Sequence, residues 1–303
     1  MKKKEKGGEM LEISMGIMAY NEESNIGRLL ESVINQRFTH GRLNEIFVTA
    51  SGCTDRTEEI VRSFMEKDKR IILLSEAERK GKSSAINLFL SKASGNVLIL
   101  ESGDTVPAQG TLDKLTAPFL DPKVGMTGGR PVPVNPNNRF IGYCVHLQWN
   151  LHHEIAKETP KLGELVVFRD FVKEIPADSA VDEASIEAIA RHQGYELHYV
   201  PDAVVHNKGP ENVKDFLRQR RRIAAGHKYL KQTENYSVST GSPLKIFRVL
   251  LKNHKWRFRD TVWTVGAIGL EVVGRILGFY DLHIRKKNPF IWDIASSTKK
   301  LDS

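Results

Sequence analysis

Over the first 130 residues, unbroken apolar runs alternate with stretches in which apolar positions recur every three or four places. The runs fall near 11–18, 44–50, 70–75, 97–101 and 124–128, and the helix-like stretches near 22–36, 55–67, 82–93 and 109–119. A strand buried on both faces reads as a continuous apolar run, and a helix lying over it reads as an amphipathic one. Their alternation predicts an α/β fold, a doubly wound and mostly parallel sheet with flanking crossover helices on both faces. The pattern changes at Arg130-Pro131-Val132-Pro133-Val134-Asn135-Pro136, whose proline spacing forbids a helix and predicts an extended connector. A helix follows over Arg139–Glu158, then strands at Leu165–Phe168 and Glu196–Val200. A second long helix covers Glu211–Gln232, with Val213, Phe216, Leu217, Ile223, Ala224 and Leu230 on one side.

Residues 243–292 read differently. Leu244, Ile246, Phe247, Val249, Leu250 and Leu251 alternate with Lys245, Arg248 and Lys252. Val262–Tyr280 is almost wholly apolar, broken only by Glu271 and Arg275, which are four apart and can pair on a helix. Its longest uncharged run, Thr261–Leu270, is shorter than the roughly 18–20 residues expected of a membrane span. Trp256, Trp263 and Trp292, with Arg257, Arg259, Arg285, Lys286 and Lys287, flank it. Aromatic and basic flanks on an apolar stretch predict an amphipathic helical extension lying in a membrane interface. A helical hairpin covering the sheet, or a dimer surface, is the alternative.

Charge sharpens that picture. The net charge is +8, yet residues 206–303 hold 20 Lys and Arg against 8 Asp and Glu, a balance of +12 that leaves −4 on residues 1–205. A basic C-terminal third predicts an anionic partner: phosphates, nucleic acid or a lipid surface. No nucleic-acid module is recognisable and the apolar content exceeds what such a surface needs, so no nucleic-acid partner is expected. A hydrophobic content of 40% and a charged content of 27% are those of a soluble globular protein. Cys53 and Cys144 offer no disulfide framework. The start Met1-Lys2-Lys3-Lys4 has the basic residues of a secretory signal, but Glu9 and Glu12 interrupt the stretch after it, and Ile13–Met18 is too short for its apolar core. The expected location is therefore cytoplasmic.

Four polar clusters follow apolar runs: Ala19-Tyr20-Asn21-Glu22-Glu23, Ser51-Gly52-Cys53-Thr54-Asp55-Arg56-Thr57, Ser102-Gly103-Asp104-Thr105, and Asp182-Glu183. In an open α/β sheet, ligands collect outside the carboxyl ends of the strands. Converging there, these clusters would form an acidic cleft in which a divalent cation can bridge phosphate oxygens. Each also has a local explanation: Asp55 with Glu58, and Asp182, can cap helices. Lys80-Gly81-Lys82-Ser83-Ser84 lacks the upstream glycine of a phosphate loop. His146, His152 and His153 lack a tight ligating spacing and read as core or surface positions.

Taken in order, these motifs resemble family 2 glycosyltransferases, whose nucleotide-sugar-binding fold is called GT-A, over roughly residues 12–232. Ala19 to Glu23 matches the family's opening strand-to-helix signature, and Ser51 to Thr57 its nucleotide-contacting loop. Lys80-Gly81-Lys82 with Asn87 resembles the Lys/Arg-Gly-x…Asn segment. Ser102-Gly103-Asp104 occupies the Asp-x-Asp metal motif, and Asp182-Glu183 the Glu-Asp pair that supplies the base. Gln219-Arg220-Arg221-Arg222-Ile223 resembles the Gln-x-x-Arg-Trp motif. Departures are plain: Ser102 replaces the first Asp, Ala50-Ser51 replaces the acidic residue of the nucleotide loop, the pair is reversed, and Ile223 replaces Trp.

The resemblance implies an inverting transfer from a nucleotide diphosphate-sugar to an acceptor hydroxyl. The basic, apolar, Trp-flanked tail adds the expectation of a lipid-linked or glycan acceptor at the cytoplasmic membrane face, with a cytosolic saccharide as the alternative. The resemblance assigns catalysis to Glu183 as base, with Asp182. Donor contacts fall to Ala19, Asn21, Glu23, Ser51, Asp55, Lys82, Ser102, Gln219 and Arg222. Asp104 would hold Mg²⁺ or Mn²⁺, with His206 as a further ligand. The expected division is a basic tail, 1–10, a transferase domain, 11–235, and an amphipathic helical region, 236–303, making peripheral membrane contact through 243–292. The alternative is a catalytically inactive nucleotide-sugar-binding or regulatory protein of the same fold, which Ser102 favours.

Overall fold

The computed structural model describes residues 10–236, 243–253, 256–285 and 296–301. Most of the basic start, and the flank formed by Lys286, Lys287 and Trp292, lie outside these residues. Strands β1 (Leu11–Ala19), β2 (Gly41–Ser51), β3 (Ile71–Glu76) and β4 (Val97–Ser102) are joined by helices α1 (Ile26–Ile34), α2 (Thr57–Lys67) and α3 (Lys82–Leu90). A short β5 (Val106–Pro107) and α4 (Thr111–Thr116) lead to β6 (Val124–Pro133) and α5 (Phe140–Glu158). Then come β7 (Leu165–Arg169), α6 (Asp182–His192), β8 (Glu196–Asn207) and α7 (Val213–Thr233), followed by α8 (Pro243–Asn253) and α9 (Phe258–His283).

The strands form one sheet in the order β3-β2-β1-β4-β7-β6-β8-β5. The pairs β1–β2, β1–β4, β2–β3 and β6–β8 are parallel, while β7 runs antiparallel to both β4 and β6. Side chains alternate across each strand. In β4, Val97 and Ile99 face a core shared with α1, α2 and α4, whereas Leu98 and Leu100 face one shared with α3 and α6. Both faces are covered, which is why this strand reads as a plain apolar run.

Strands β6 and β8 run on to Pro133 and Asn207, past their predicted ends at 128 and 200, and proline is the reason in both. Pro131 and Pro133 pair with Val205 and Asn207 of β8, but β7 pairs with β6 only over Met126–Gly128. With that side of β6 free of a strand, the missing N–H costs no ladder bond. Pro201 of β8 falls where the ladder shifts register, between the pairs Gly128–Tyr199 and Arg130–Val204. Read from sequence, the same prolines end strands.

The C-terminal helices pack on α5 and α7 rather than on the sheet. In α9 the positions facing the protein are Asp260, Thr264, Ala267, Gly274, Gly278 and Asp281, all buried, while Val262, Val265, Val272, Ile276 and Phe279 face outward. A Cβ on Gly274 would lie 2.6 Å from Arg220 Cβ, and one on Gly278 2.7 Å from the Arg221 carbonyl, so only glycine permits this approach to α7. The expected Glu271–Arg275 pair forms at 2.8 Å, and Arg220 of α7 joins it at 2.7 Å. Glu271 is thereby held toward α7, while Arg275 stays exposed beside the outward apolar positions. By length and composition alone, α9 is long and apolar enough to cross a membrane, although its longest uncharged run is short. Trp256 is exposed as an interfacial flank requires, but Trp263 packs edge-on against Phe140 and Tyr143.

Candidate active site

Register brings the carboxyl ends of the central strands to one edge, with Ala19 opposite Ala50 and Met18 opposite Ser102. The loops beyond β1 and β2 are then tied to each other. Asn21, held at φ 52°, accepts from the Thr54 N–H at 2.8 Å. Asp55 accepts from the Glu23 N–H at 3.0 Å, and from the Thr57 N–H and hydroxyl at 3.0 and 2.6 Å. Burial works against the Asp55 carboxylate, yet these hydrogen bonds hold it below the usual range. Beyond this knot a cavity of about 2100 Å³ opens across the strand ends and runs on beneath α5, α7, α8 and α9.

One wall carries a buried ionic cluster. Gly81 at φ 97° turns the chain into α3, a conformation open to glycine and strained for other residues, and Lys82 follows at once. The Lys82 Nζ lies 2.9 Å from Glu183 Oε1 and 3.5 Å from Asp182 Oδ2, both on the first turn of α6. Ser83 donates to Asp182 at 3.0 Å, and Asn87 bonds Ile175 in both directions, fixing α3 to the loop before α6. Burial alone would raise Glu183, but the Lys82 ammonium more than offsets it and holds the carboxyl down at about 2. Lys82 is in turn held protonated, because the two carboxylates outweigh its own burial. Arg222 of α7 faces the same group; burial lowers its pKa, opposed by Asp182, Glu183, Glu164 and Asp104.

Further acidic side chains gather around Asp104. Burial, together with the Asp104 carboxylate, raises Glu22 to about 7, Glu101 to about 8 and Glu164 to about 7. Lys299, from the C-terminal segment, pairs with Glu22 and donates to the Tyr20 carbonyl at 2.9 Å. Glu101 Oε2 and Asn207 Oδ1 are buried without a hydrogen-bond partner. Hard oxygen donors crowded in this way suit Mg²⁺ or Mn²⁺. Among the described residues no three His, Cys, Asp or Glu side chains form a ready cage. A cation here would therefore need phosphate oxygens and water to complete its shell, as Mg²⁺ commonly does.

A family model for "Glycosyl transferase family 2" matches residues 14–171, and one for "Glycosyl transferase family group 2" matches residues 97–279. The chain belongs to glycosyltransferase family 2. It is 28% identical over 292 residues to the probable glycosyltransferase YdaM of Bacillus subtilis, covering 91% of this chain and 69% of that protein. It is 24% identical over 231 residues to the poly-β-1,6-N-acetyl-D-glucosamine synthase of Staphylococcus aureus, covering 72% of this chain and 55% of the synthase. Several curated relatives are thus spanned over only about half their length. Among solved structures, the mannosyltransferase PcManGT of Pyrobaculum calidifontis, in complex with GDP-Man and Mn²⁺, shares the GT-A fold. Its TM-score is 0.65 at 20% identity, covering 90% of this chain and 88% of that one.

Of the residues expected from the glycosyltransferase motifs, Ala19, Ser51, Lys82, Ser102, Asp104, Asp182, Glu183, Gln219 and Arg222 line this cavity. Asn21, Glu23 and Asp55 do not line it, because their polar groups are committed to the loop knot. His206 is also absent from its walls. It pairs with Val106, and strand alternation turns Asn207 to the cavity in its place. The sequence reading missed Glu164, the residue before β7, which adopts φ 63° while facing the cavity; such strain in a glutamate is a frequent mark of function. Its signal was faint: one acid directly ahead of an apolar run. Arg79, stacked 4.3 Å over the Tyr20 ring at the same end, was missed as well. Lys299 had no local signal, since it meets Glu22 across 277 positions.

Proposed function

We propose that this glycosyltransferase moves a sugar, with inversion, from a nucleotide diphosphate-sugar to an acceptor hydroxyl, lipid-linked or glycan, at the inner face of the cell membrane. The observation that carries this reading is the meeting of Lys82, Asp182, Glu183 and Arg222 in one cavity with Asp104. Asp104 would hold a divalent cation against the diphosphate, and PcManGT is solved with Mn²⁺ beside a nucleotide-sugar. Such an ion supplies Lewis-acid stabilisation of the charge gathering on the leaving diphosphate.

The protein's own groups perform the rest. Glu183 takes the acceptor proton, a contribution of roughly 10²–10⁴ in rate. Before donor arrives, Lys82 masks it, and a carboxyl held near 2 is a weak base. The arriving diphosphate offers Lys82 a second anion. As the ammonium shifts toward it, Glu183 loses its counter-charge and burial raises its basicity. Arg222 shares the diphosphate charge. With one displacement and no enzyme nucleophile, the anomeric carbon inverts.

The transferase domain is assigned to 11–235. The helical region, 236–303, is assigned to peripheral membrane contact, supported by the outward apolar face of α9. Synthesis of a cell-envelope polysaccharide fits the named activity of the staphylococcal relative. The second reading, a non-catalytic nucleotide-sugar-binding protein, draws on Ser102 and on the lack of a ready metal cage among the described residues. The test combines a thermal-shift panel of nucleotide diphosphates and their sugars, with and without Mn²⁺, with a transfer assay. The expected outcome is a donor-specific, metal-dependent shift that Asp104→Ala removes, and retained donor binding without transfer in Glu183→Gln. Full turnover by Glu183→Gln would remove that residue as base, and no shift with any donor would favour the second reading.

A further inference from the structure

Glu164 is held in an unfavourable conformation. Leu165 donates its N–H to the Gly163 carbonyl at 2.8 Å, closing a three-residue turn with Glu164 at its centre at φ 63°. A γ-turn of this hand is rare and strained. Gly163 stands beside it and could take a positive φ without penalty, yet the strain falls on the glutamate. Both flanks are fixed. The Leu162 N–H donates to Glu187 of α6, which also accepts from the Tyr236 hydroxyl at 3.0 Å, and Leu165 pairs with Glu101 in the β4–β7 ladder. Strain of this kind persists only where the surroundings over-determine it, and it gathers at ligand sites.

The ladder also places Glu164. β4 and β7 run antiparallel and their last pair is Glu101 with Leu165, so the next step brings Glu164 opposite Ser102. Ser102 is the position at which the metal motif lacks its first acid. From there a turn, closed by the Thr105 N–H on the Ser102 carbonyl at 3.3 Å, carries Asp104. Ser102, Asp104 and Glu164 all line the cavity, and the Asp104 charge reaches Glu164. Asn207 adds an independent sign. It is 5% exposed, lines the same cavity and bonds Glu164, while its own Oδ1 has no hydrogen-bond partner. An oxygen buried without a proton donor beside two carboxyls suits a hard cation.

The neighbouring acids are engaged elsewhere. Lys299 pairs with Glu22, and Lys82 lies 2.9 Å from Glu183. Glu101 accepts from the Thr105 hydroxyl at 2.9 Å, and alternation turns it away from the face of Ser102. We propose that Glu164 supplies, from the neighbouring strand, the carboxylate that Ser102 lacks, and holds the divalent cation together with Asp104, with Asn207 Oδ1 beside it. This rests on the transferase reading above. Two carboxylates, completed by diphosphate oxygens and water, make a shell of the kind Mg²⁺ takes.

Titration of the full chain with Mn²⁺, alone and beside UDP or GDP, tests it by electron paramagnetic resonance and by melting temperature. Glu164→Gln is expected to weaken Mn²⁺ by about 10–100-fold, the loss that follows even when only a residue supporting a ligand is removed. Glu164→Gly relieves the turn, so it should melt no lower than wild type without metal and still lose Mn²⁺ to the same extent. The exchange Ser102→Asp with Glu164→Gln returns the acid to the first position of the motif. It should recover most of the affinity, which a merely structural Glu164 would not allow. Unchanged Mn²⁺ affinity in Glu164→Gln and Glu164→Gly overturns the assignment, and so does an exchange that recovers nothing. Nucleotide diphosphates that stabilise wild type and Glu164→Gln alike at every Mn²⁺ concentration sink this assignment alone. If none of them stabilises wild type, the transferase reading goes with it.

Discussion

Helices α1 and α9 are both amphipathic, and they are turned opposite ways. α1 buries Ile26, Leu29, Leu30 and Val33 against the sheet. α9 buries Asp260, Thr264, Ala267, Gly274, Gly278 and Asp281, and presents Val262, Val265, Val272, Ile276 and Phe279 outward. In the sheet region, hydrophobic burial drives assembly and packing is two-sided. At α7–α9 the contact is made by small residues and ion pairs, the manner of helices that meet in lipid. One chain thus carries two different answers to where its apolar surface should go.

That contrast can be broken at single positions. Ile99 is fully buried in the central strand β4, and Ile99→Ala should cost about 2–5 kcal/mol in denaturant unfolding. Ile276 is 61% exposed, and Ile276→Ala should change stability by no more than about 0.5 kcal/mol. The charged change Ile276→Glu should instead lower flotation with anionic liposomes by about tenfold, from the lost burial of one large side chain. Equal stability losses at Ile99 and Ile276 would mean that α9 is a core helix covered by something else.

The sheet side also buries carboxyls, and that gives it a pH signature. Burial raises Glu22 to about 7 and Glu101 to about 8, from an ordinary 4.5. Their ionised forms therefore weigh against the folded state. Stability is fully present below about pH 4.5 and is lost progressively from there until the pH has passed 7 and 8, by on the order of several kcal/mol. Melting temperatures across pH 4.5–8.5 should show the fall, and Mn²⁺ should restore part of it at the upper end.

Next in size is the glycine contact. Gly278→Leu forces a side chain into the Arg221 carbonyl and Ala224, for about 1–3 kcal/mol. It should reduce transfer as well as melting temperature, because Arg222 lies on the helix being pushed. Lys82→Met should show chiefly in the pH profile. Without the ammonium, Glu183 rises toward the range of a buried carboxyl, and the acid limb of kcat/KM should move to higher pH by about one or more. An unmoved limb would detach Lys82 from the base.

Legibility in the sequence followed the same divide. β4 was readable because each face has its own core, so every residue from Val97 to Leu100 had to be apolar. The end of β8 was not readable, because Pro201 is tolerated only at a register shift that depends on β6. Asp104 and Glu183 line the cavity and could be picked out beforehand because they follow an apolar strand or open a helix, local marks that survive without coordinates. Asn21 and Asp55 carried the same local marks, yet they stay off the cavity wall, joined by hydrogen bonds between two distant loops at 2.8 and 3.0 Å. Glu164 and Lys299 escaped because their surroundings are assembled from remote segments.

The glycine seam between α7 and α9 has a mechanical side. At Gly274 and Gly278 the outer helix comes close to Arg220 Cβ, the Arg221 carbonyl and Ala224 Cβ, and the ion pairs Arg220–Glu271 and Arg221–Asp281 tie the same seam. A joint of that kind is stiff, and Arg222 is the next residue along. A shift of the outer helix would therefore be carried to the guanidinium in the cavity with little slack to take it up, as a lever with a short arm would carry it.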